Sequence, residues 1–597
     1  MKKYSKELNI QYLVALLKEH GIKRVIASPG TTNLSFVASL QCDSYFEIYS
    51  CVDERSAAYM AVGIAEETNE PVVITCTGAT ASRNYLSALT EAYYRKLPIL
   101  AVTGTQRIDR IGQLHAQVID RSQPPKDTCV KSVTLNPVNS TTDAKYCQLY
   151  INDALLSLKR HGGGPVHINL VTGYNRDFST NTLPQVNKIS RYAYSDVDMM
   201  PALLEGRICV FVGSHKTFTK EQTDIIDKFC SSNGAVVFCD HSSGYYGHYK
   251  VNFSLVAVQE LFNTPLTTVD LCIQIGEVSG EYGMLERLRA KKLWRVSPDG
   301  EIRSSLGRPS SIFEMAEEDF FGYYTKNVDV VNDEYLNECK ICYDMVLSKA
   351  CNLPLSNVWI ASILAPKLPL NSELHLGILN SLRAWNLFEL PKSVKSFSNV
   401  GGFGIDGCMS SMIGASLIDS NKLYFGVFGD LAFFYDINSL GCRHVGKNLR
   451  ILLINNGKGT EFRNFYHTGS LFGEDADNFI AAAHHFGDKS PELVKHYAQD
   501  LGFRYMSAST KEEFLDCCDE FLCEDLQSSY ILEVFTTNED ESDALKYMWN
   551  LAENGSGSIK ATVDHMIKAA DKVGILPTIQ SVLGPRGIKF FKKIMKI

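Results

Sequence analysis

Two short turns in the last third of the sequence carry oxygen atoms suited to a divalent cation. Gly429 and Asp430 follow one apolar run, and Asn456 and Lys458 follow the next. Asp430 offers an anionic oxygen, Asn456 an amide oxygen and Lys458 a backbone carbonyl, and magnesium prefers such oxygens together with phosphates. Either turn alone would also be explained by turn preferences. The pair predicts a magnesium and phosphate site at one sheet edge, because ligands gather at the carboxyl ends of parallel strands.

The elements that must position these turns form three similar series. Short apolar runs alternate with helix-like stretches, which predicts α/β domains with doubly wound parallel sheets. The predicted strands are 24–27, 72–76, 99–102 and 166–170, then 208–212, 235–238, 271–275 and 293–296, and finally 374–376, 395–398, 423–428, 451–454 and 529–534. Residues 179–195 read as a linker. We expect domains at 1–180, 195–345 and 352–548, followed by a basic C-terminal extension at 549–597.

Composition narrows the function further. The 597 residues leave room for three or four domains, and the 45% hydrophobic and 21% charged residues are typical of an ordinary globular protein. The net charge of -8 argues against a broad nucleic-acid surface. No apolar run is long enough to span a bilayer, and the 17 cysteines lie mostly in apolar surroundings, so we expect a cytoplasmic protein with reduced thiols.

Several segments together resemble the thiamine-diphosphate-dependent decarboxylase and carboligase superfamily over most of the chain. Within it the chain looks most similar to the menaquinone-pathway 2-succinyl-5-enolpyruvyl-6-hydroxy-3-cyclohexene-1-carboxylate synthases. The segments that carry the likeness are Ser28-Pro29-Gly30, Asp53-Glu54-Arg55, residues 71–78 with the helix after them, Gly404-Ile405-Asp406-Gly407, and Gly429-Asp430-Leu431 continuing to Asn438. Leu431 departs from the family, which usually has glycine there.

The resemblance implies thiamine diphosphate and Mg²⁺ as cofactors and assigns residues to them. The domains would be pyrimidine-binding, central and diphosphate-binding, in that order. Glu54 would activate the cofactor through its aminopyrimidine ring, although an acid stabilised at a helix start is the alternative. Asp430, Asn456 and the Lys458 carbonyl would hold the metal, and Ile405 would keep the cofactor bent. The remaining expected cofactor contacts are Gly78, Ser381, Gly429 and Leu431.

The departures from the synthases concern the substrate. Those enzymes use several arginines to bind carboxylates, and arginine suits that task through paired, charge-assisted hydrogen bonds. At the matching positions this chain has Thr32, Gln106, Trp385 and Val400. Each lost contact weakens binding of a buried carboxylate by roughly 1.5–3 kcal/mol, which predicts a changed substrate pair. Arg383 and Arg107 lie close by in sequence and could supply charge from shifted positions; a surface location is the alternative.

We therefore expect a carboligase that decarboxylates a 2-oxo acid and passes the remaining unit to an acceptor. Thr32, Gln106, Trp385 and Phe403 would line the acceptor pocket, and Gln117 would face the reacting centre or serve as a helix hydrogen-bonder. A decarboxylase that releases an aldehyde, and a non-catalytic scaffold, are the alternatives. The resemblance also implies a homodimer or homotetramer with active sites between subunits.

Three further features complete the sequence reading. Cys339 and Cys342 form a CxxC spacing that we interpret as a structural pair on one helix. His484 and His485 are predicted to lie on a helix surface after an alanine-rich helix. The basic tail could contact a membrane, but a solvated or self-packed tail is preferred. Whether a flavin also binds stays open.

Overall fold

The structure is a computed structural model that describes residues 3–173, 175–325 and 331–553. It divides into two compact units, of which the first comprises Met1–Asp198 with Gly300–Glu314 and the second comprises Met199–Asp299 with Met315–Ile597. Most of the predicted C-terminal extension lies outside the described residues. The division into three sequence domains stays a prediction.

The first unit is an α/β layer structure around a six-stranded sheet. Its elements are α1 Leu8–Glu19, β1 Arg24–Ala27, α2 Leu34–Gln41, β2 Glu47–Ser50, α3 Glu54–Thr68, β3 Val72–Cys76, α4 Thr80–Asn84, α5 Leu86–Arg95, β4 Ile99–Thr105, β5 Lys131–Leu135, α6 Thr141–Ser157, β6 Val166–Val171 and β7 Ser190–Ala193. The strand order is β2-β1-β3-β4-β6-β5, and every neighbouring pair is parallel.

Alternation along the strands explains why helices cover both faces of this sheet. Val25 joins a core with residues of α1, α2 and α6, whereas the next residue, Ile26, joins a core with α3 and α5. Strands β3, β4 and β6 are buried along their whole length. Two-sided burial favours the continuous apolar runs seen in the sequence.

The second unit contains strands of two further sheets. Its first part is built on five of them. The elements are β8 Ile208–Val212, α7 Lys220–Asn233, β9 Val236–Phe238, β10 Lys250–Val251, α8 Ser254–Ala257, β11 Thr268–Ile275, α9 Tyr282–Arg287 and β12 Arg289–Val296. The parallel order is β10-β9-β8-β11-β12. The next strand along the chain, β13 Ser311–Glu314, belongs to the first unit, where it pairs with β7.

The last sheet repeats the strand order of the first. After α10 Glu317–Tyr324 and α11 Glu334–Leu347 come α12 Asn357–Leu364, β14 Glu373–Leu376, α13 Asn380–Trp385, β15 Lys395–Ser398, α14 Cys408–Ser416, β16 Tyr424–Gly429, α15 Asp430–Tyr435, β17 Leu449–Asn455, α16 Asp475–Phe479, α17 Leu493–Asp500, β18 Arg504–Ala508, α18 Lys511–Phe521, β19 Tyr530–Phe535 and α19 Asn538–Met548. The order is β15-β14-β16-β17-β19-β18, again parallel.

The predicted fold class, three α/β domains with parallel sheets, is confirmed, and so is every predicted strand to within a few residues. The strands that sequence reasoning missed include β2, β5, β7 and β18, which are only partly buried. Exposed edge strands carry polar residues and lack the apolar signal. The predicted linker at 179–195 was therefore partly wrong, since β7 lies inside it.

The predicted helix for the histidine pair was wrong, although both histidines lie at the surface as predicted. The short helix α16 ends at Phe479, and Ala482 and His484 have positive φ angles of 49° and 65°. Three alanines in a row thus form an irregular turn here, and His484 reaches Asp488 with its backbone N–H and ring instead of lying on a helix.

The predicted placement of Cys339 and Cys342 on one helix is confirmed, whereas the reducing compartment stays a prediction. All 17 cysteines are free thiols, and Cys339 and Cys342 are both buried on α11. Among the described residues no cluster of three or more His, Cys, Asp or Glu side chains could hold a metal ion. Within the same residues, no helix combines the length and apolar character needed to cross a membrane.

Candidate functional site

The carboxyl edge of the last sheet gathers most of the predicted cofactor residues. Strands β15, β14, β16 and β17 are consecutive neighbours in this sheet, and all run in the same direction. The loop after β15 contains Ile405, the turn after β14 leads to Ser381, and Gly429 ends β16. The strand order reverses between β14 and β16, because β15 is added on one side of β14 and β16 on the other. Doubly wound sheets bind ligands at such a point.

Asp430 is a buried carboxylate at this edge. It is the first residue of α15 and only 5% exposed, and one of its oxygens accepts a hydrogen bond of 2.8 Å from the backbone N–H of Leu431. Burial raises the pKa of Asp430 to about 7, against the opposing effect of backbone N–H groups that include those of Gly457 and Lys458. A carboxylate buried in this way is strongly stabilised by a bound cation.

The turn after β17 supplies the other predicted metal ligands. Gly429 pairs in register with Ile454, so Asp430 and the turn that follows Asn455 lie at the same edge. The side-chain oxygen of Asn456 is buried without a hydrogen-bond partner among the described residues. The Lys458 carbonyl accepts the Thr460 N–H at 2.9 Å and keeps a second lone pair. These atoms therefore fit a magnesium ion, and the assignment remains a prediction.

The turn after β14 stores backbone strain next to Ser381. Leu379, at the start of α13, has φ 64° and ψ -117°. Residues other than glycine rarely adopt this conformation. Ser381 itself is buried, with its hydroxyl 3.5 Å from the Asn357 amide nitrogen. Such strain often accompanies functional sites. No motif in the sequence pointed to Leu379.

Ile405 and Phe403 lie in the loop between β15 and α14. Both side chains are half-buried, and the Phe403 ring lies 6.2 Å, centre to centre, from that of Tyr282. The Asn399 amide holds the loop by donating to the Gly407 carbonyl at 3.2 Å and to the Ser411 hydroxyl at 3.0 Å. A partly exposed isoleucine here can support an apolar ring.

In the first unit, four neighbouring strands again end at the predicted residues. Glu54 follows β2 and begins α3, with Asp53 as the helix cap that accepts the Ser56 N–H at 2.8 Å. Glu54 is half-buried as a residue, and its carboxyl accepts a hydrogen bond of 3.1 Å from the Asn84 amide. Ala57, Ala58, Ala61 and Ala65 belong to the core behind it, and these small residues let α3 lie close to the sheet.

Thr32 ties together the turns after β1, β3 and β4. It is 2% exposed; its hydroxyl donates to the Gly104 carbonyl at 3.0 Å and accepts the Gly78 N–H at 3.1 Å. A Cβ on Gly78 would lie 3.0 Å from the Gly104 carbonyl oxygen, so the backbones approach closely there. The burial of Thr32 speaks against the predicted substrate contact.

Gln106 and Gln117 differ in their surroundings. The side-chain oxygen of half-buried Gln106 accepts a hydrogen bond of 2.6 Å from Arg110. Gln117 is exposed and has a φ of 63° in a turn, so the alternative role as a helix hydrogen-bonder was wrong. Both residues keep their predicted substrate roles as hypotheses.

Trp385 lies inside the second unit. Its ring is 1% exposed, and its indole N–H donates to the Asn357 side chain at 3.1 Å. Val400, at another position where the synthases have arginine, is equally buried. Core packing therefore explains both side chains, and it speaks against the predicted contact between Trp385 and a substrate.

Both arginines that could have replaced the missing charges are paired with acids. Arg383 forms two contacts with Glu461, of 2.7 and 3.2 Å, and the two side chains are 15% and 17% exposed. Arg107 is exposed and bonds Asp109 through its Nε at 3.1 Å. Sequence reasoning missed Glu461 and Asn84, because neither lies in a recognisable motif.

Comparisons with known proteins show which family the chain belongs to. The family model described as "Thiamine pyrophosphate enzyme, N-terminal TPP binding domain" matches residues 10–123. The 2-succinyl-5-enolpyruvyl-6-hydroxy-3-cyclohexene-1-carboxylate synthase of Bacteroides fragilis (strain ATCC 25285) is 30% identical over 588 residues, covering 92% of this chain and 100% of that protein. The synthase of the same description from Bacteroides thetaiotaomicron is 31% identical over 569 residues, covering 91% and 98%.

The chain therefore belongs to the thiamine-diphosphate enzyme family. Within that family it stands close to the 2-succinyl-5-enolpyruvyl-6-hydroxy-3-cyclohexene-1-carboxylate synthases. A solved structure, the thiamine diphosphate-dependent 4-hydroxybenzoylformate decarboxylase of Rhodococcus jostii RHA1, is 17% identical and covers 89% of this chain and 99% of its own. Its TM-score of 0.38 is too low to support any statement about this chain.

Proposed function

We propose that the chain is a thiamine-diphosphate- and Mg²⁺-dependent carboligase that acts on a 2-oxo acid and an acceptor other than the synthases' substrate pair. When bound, thiamine diphosphate would supply a nucleophilic carbon for addition to the 2-oxo group and a thiazolium ring that takes up the electron pair left behind when carbon dioxide departs. Two observations support the proposal: the residues assigned to the cofactor lie at the carboxyl edges of parallel sheets, and the positions where the synthases have arginine hold Thr32, Gln106, Trp385 and Val400.

Each retained residue has a task in this proposal. Asp430, Asn456 and the Lys458 carbonyl hold the metal and, through it, the diphosphate. Glu54, oriented by Asn84, shares a proton with a nitrogen of the pyrimidine ring. Gly78, Ser381, Gly429 and Leu431 would contact the bound cofactor, and Ile405 would support it with its apolar side chain.

The substrate side of the proposal rests on charge. Thr32, Gln106, Trp385 and Val400 carry no charge, and the guanidinium of Arg383 is already neutralised by Glu461. Binding of a carboxylate through Arg383 would have to break that pair first. A less anionic substrate than the synthases use is therefore favoured, with Gln106, Gln117 and Phe403 the most accessible candidates to contact it.

We further propose that the enzyme is a homo-oligomer in which the active sites need two subunits, and that it works in the cytoplasm. The free thiols suit a reducing compartment.

An assay with a panel of 2-oxo acids, each with and without aldehyde or alkene acceptors, tests the proposal. We expect a condensation product with at least one acceptor and none from 2-oxoglutarate with isochorismate. If free aldehyde forms at a rate that no acceptor changes, the enzyme is a simple decarboxylase. A Glu54→Gln variant serves as the control for uncatalysed decarboxylation.

A further inference from the structure

A small cavity in the first unit lies beside the turn that contains Gly78, but none of the described residues assigned to the reaction lines it. It has a volume of about 30 Å³ and is lined by Arg83, Thr103, Arg121, Thr128 and His167, together with apolar side chains of α5 and β4. A single water needs at least about 10–15 Å³ of such space, so the cavity has room for about two waters or one monatomic halide.

Arg121 is the buried cation of this cavity. It is 5% exposed, and its Nη2 donates to the Gly104 carbonyl at 3.2 Å and to the Asn169 side chain at 2.9 Å. Its Nε and Nη1 are buried and have no hydrogen-bond partner among the described residues. Two unsatisfied guanidinium donors in the protein interior are costly, and they need an acceptor.

The Glu54 carboxylate acts electrostatically on Tyr85 but does not line the cavity, and the histidine and cysteine groups beside the cavity are neutral. His167 is held by the Thr103 hydroxyl at 2.8 Å and the Ser132 hydroxyl at 2.9 Å, and burial lowers its pKa to about 3, so the ring is neutral. Burial raises the pKa of the Cys129 thiol to about 11 and that of Cys76 to about 12. Burial lowers the pKa of Arg121 only to about 10, so its guanidinium stays charged at neutral pH.

The second charged side chain at the cavity is also a cation. Arg83 donates to the Asp120 backbone carbonyl at 2.9 Å, while the Asp120 carboxylate accepts from Ser122. No carboxylate is among the described residues that line the cavity. Arg83 is exposed and Asp120 lies within reach of its charge, so Arg121 is the one buried cation among the described residues that line the cavity.

We propose that this cavity binds a small monovalent inorganic anion of the size of chloride, with Arg121 as its main ligand. The anion neutralises the buried guanidinium and accepts from the donors that the protein leaves unsatisfied. Water satisfies the donors but not the charge, which is why an anion is favoured.

The site has a structural consequence for its surroundings. The Arg121 Nη1 lies 3.5 Å from the position that a Cβ on Gly78 would take, and Arg121 also holds the Gly104 carbonyl. The anion would therefore stabilise the turns after β3 and β4 where Thr32 joins them. Stability of the first unit should depend on the halide, independently of which substrates the enzyme uses.

Bromide is the probe for the test, because it replaces chloride and scatters X-rays anomalously. We expect an anomalous peak beside the Arg121 Nε or Nη1 in crystals of the full chain grown with sodium bromide. Replacing chloride by gluconate at equal ionic strength should lower the melting temperature by about 3–6 °C. This is the shift expected for a domain of this size when the chloride concentration is about ten times the dissociation constant.

Two variants show whether Arg121 is responsible. Arg121→Gln should abolish the difference between chloride and gluconate, whereas Arg107→Gln, which changes an exposed arginine, should keep it. Absence of the bromide peak in the unsubstituted protein overturns the proposal and means that water alone fills the cavity. That measurement does not depend on the variant folding.

Discussion

The strength of the ion pair between Arg383 and Glu461 decides whether Arg383 is available to bind a substrate carboxylate. A double-mutant cycle measures the coupling energy of this pair. The two side chains are 15% and 17% exposed and form two contacts. Removing one partner of a buried pair costs about 3–5 kcal/mol in general. Here Arg383 would keep its bond of 2.9 Å to Asn380 and the Tyr466 ring at 5.1 Å, so we expect Glu461→Gln to cost about 2–3 kcal/mol.

Removing both charges should restore most of that stability. The double variant Arg383→Met with Glu461→Met leaves no buried charge unpaired, so we expect it within about 1 kcal/mol of the original protein. Urea unfolding followed by tryptophan fluorescence is the assay, because all four tryptophans lie in the second unit. The exposed pair of Glu492 and Lys495 gives the control, since Glu492→Gln should change stability by less than about 0.5 kcal/mol.

Additive effects of the single variants would refute this reasoning. Costs below about 1 kcal/mol for each single variant, with no coupling energy, would mean that Glu461 does not hold the guanidinium. Arg383 would then be free to bind a carboxylate, and the argument for a less anionic substrate would lose its main support.

Three further predictions follow from the same structure. Asp430→Asn should abolish Mg²⁺-dependent retention of thiamine diphosphate in equilibrium dialysis. It should also raise the melting temperature of the cofactor-free protein, because burial raises the pKa of this carboxyl to about 7 and its charge destabilises the fold at neutral pH. The control Asp419→Asn, which changes an exposed acid of the same sheet region, should have neither effect. Burial lowers the pKa of His375 to about 4 from the ordinary value of 6.5. The contribution of the neutral ring to the free energy of unfolding is therefore complete above pH 6.5 and is lost as the pH falls towards 4. Urea unfolding should show a loss of about 3 kcal/mol over this range, and His375→Gln should not show it. The inactive variants Glu54→Gln and Asp430→Asn, once mixed and allowed to exchange subunits, should recover about a quarter of the original turnover if each active site uses two subunits. No recovery would mean that each active site takes both residues from the same chain.

The sequence predicted the buried strands and the residues at their ends, because two-sided burial leaves long apolar runs and polar turns mark where they stop. It could not predict β2 or β5, whose burial is partial and whose residues are mixed. It also could not distinguish a surface arginine from Arg383, because the acid that neutralises Arg383 lies far away in sequence and in no motif. Trp385 and Thr32 were predicted to contact substrate from their positions alone, and only the structure reveals their burial.

The histidine pair illustrates a different limit. Alanine is the strongest helix former, yet residues 481–483 form a turn in which the Gly459 N–H donates to the Ala481 carbonyl at 2.6 Å. Tertiary hydrogen bonds around the predicted metal turn outweigh a propensity of less than about 1 kcal/mol per residue.

Exchange of the C2 proton of bound thiamine diphosphate tests the central claim most directly, because it needs no knowledge of the substrate. With Mg²⁺ and deuterium oxide, quenched-flow NMR measures how fast the thiazolium proton is lost on the enzyme. We predict that Glu54→Gln binds the cofactor and slows this exchange by about 10²–10⁴-fold, the usual contribution of a positioned acid or base. An unchanged exchange rate in that variant would contradict the role of Glu54 and with it the proposed activity.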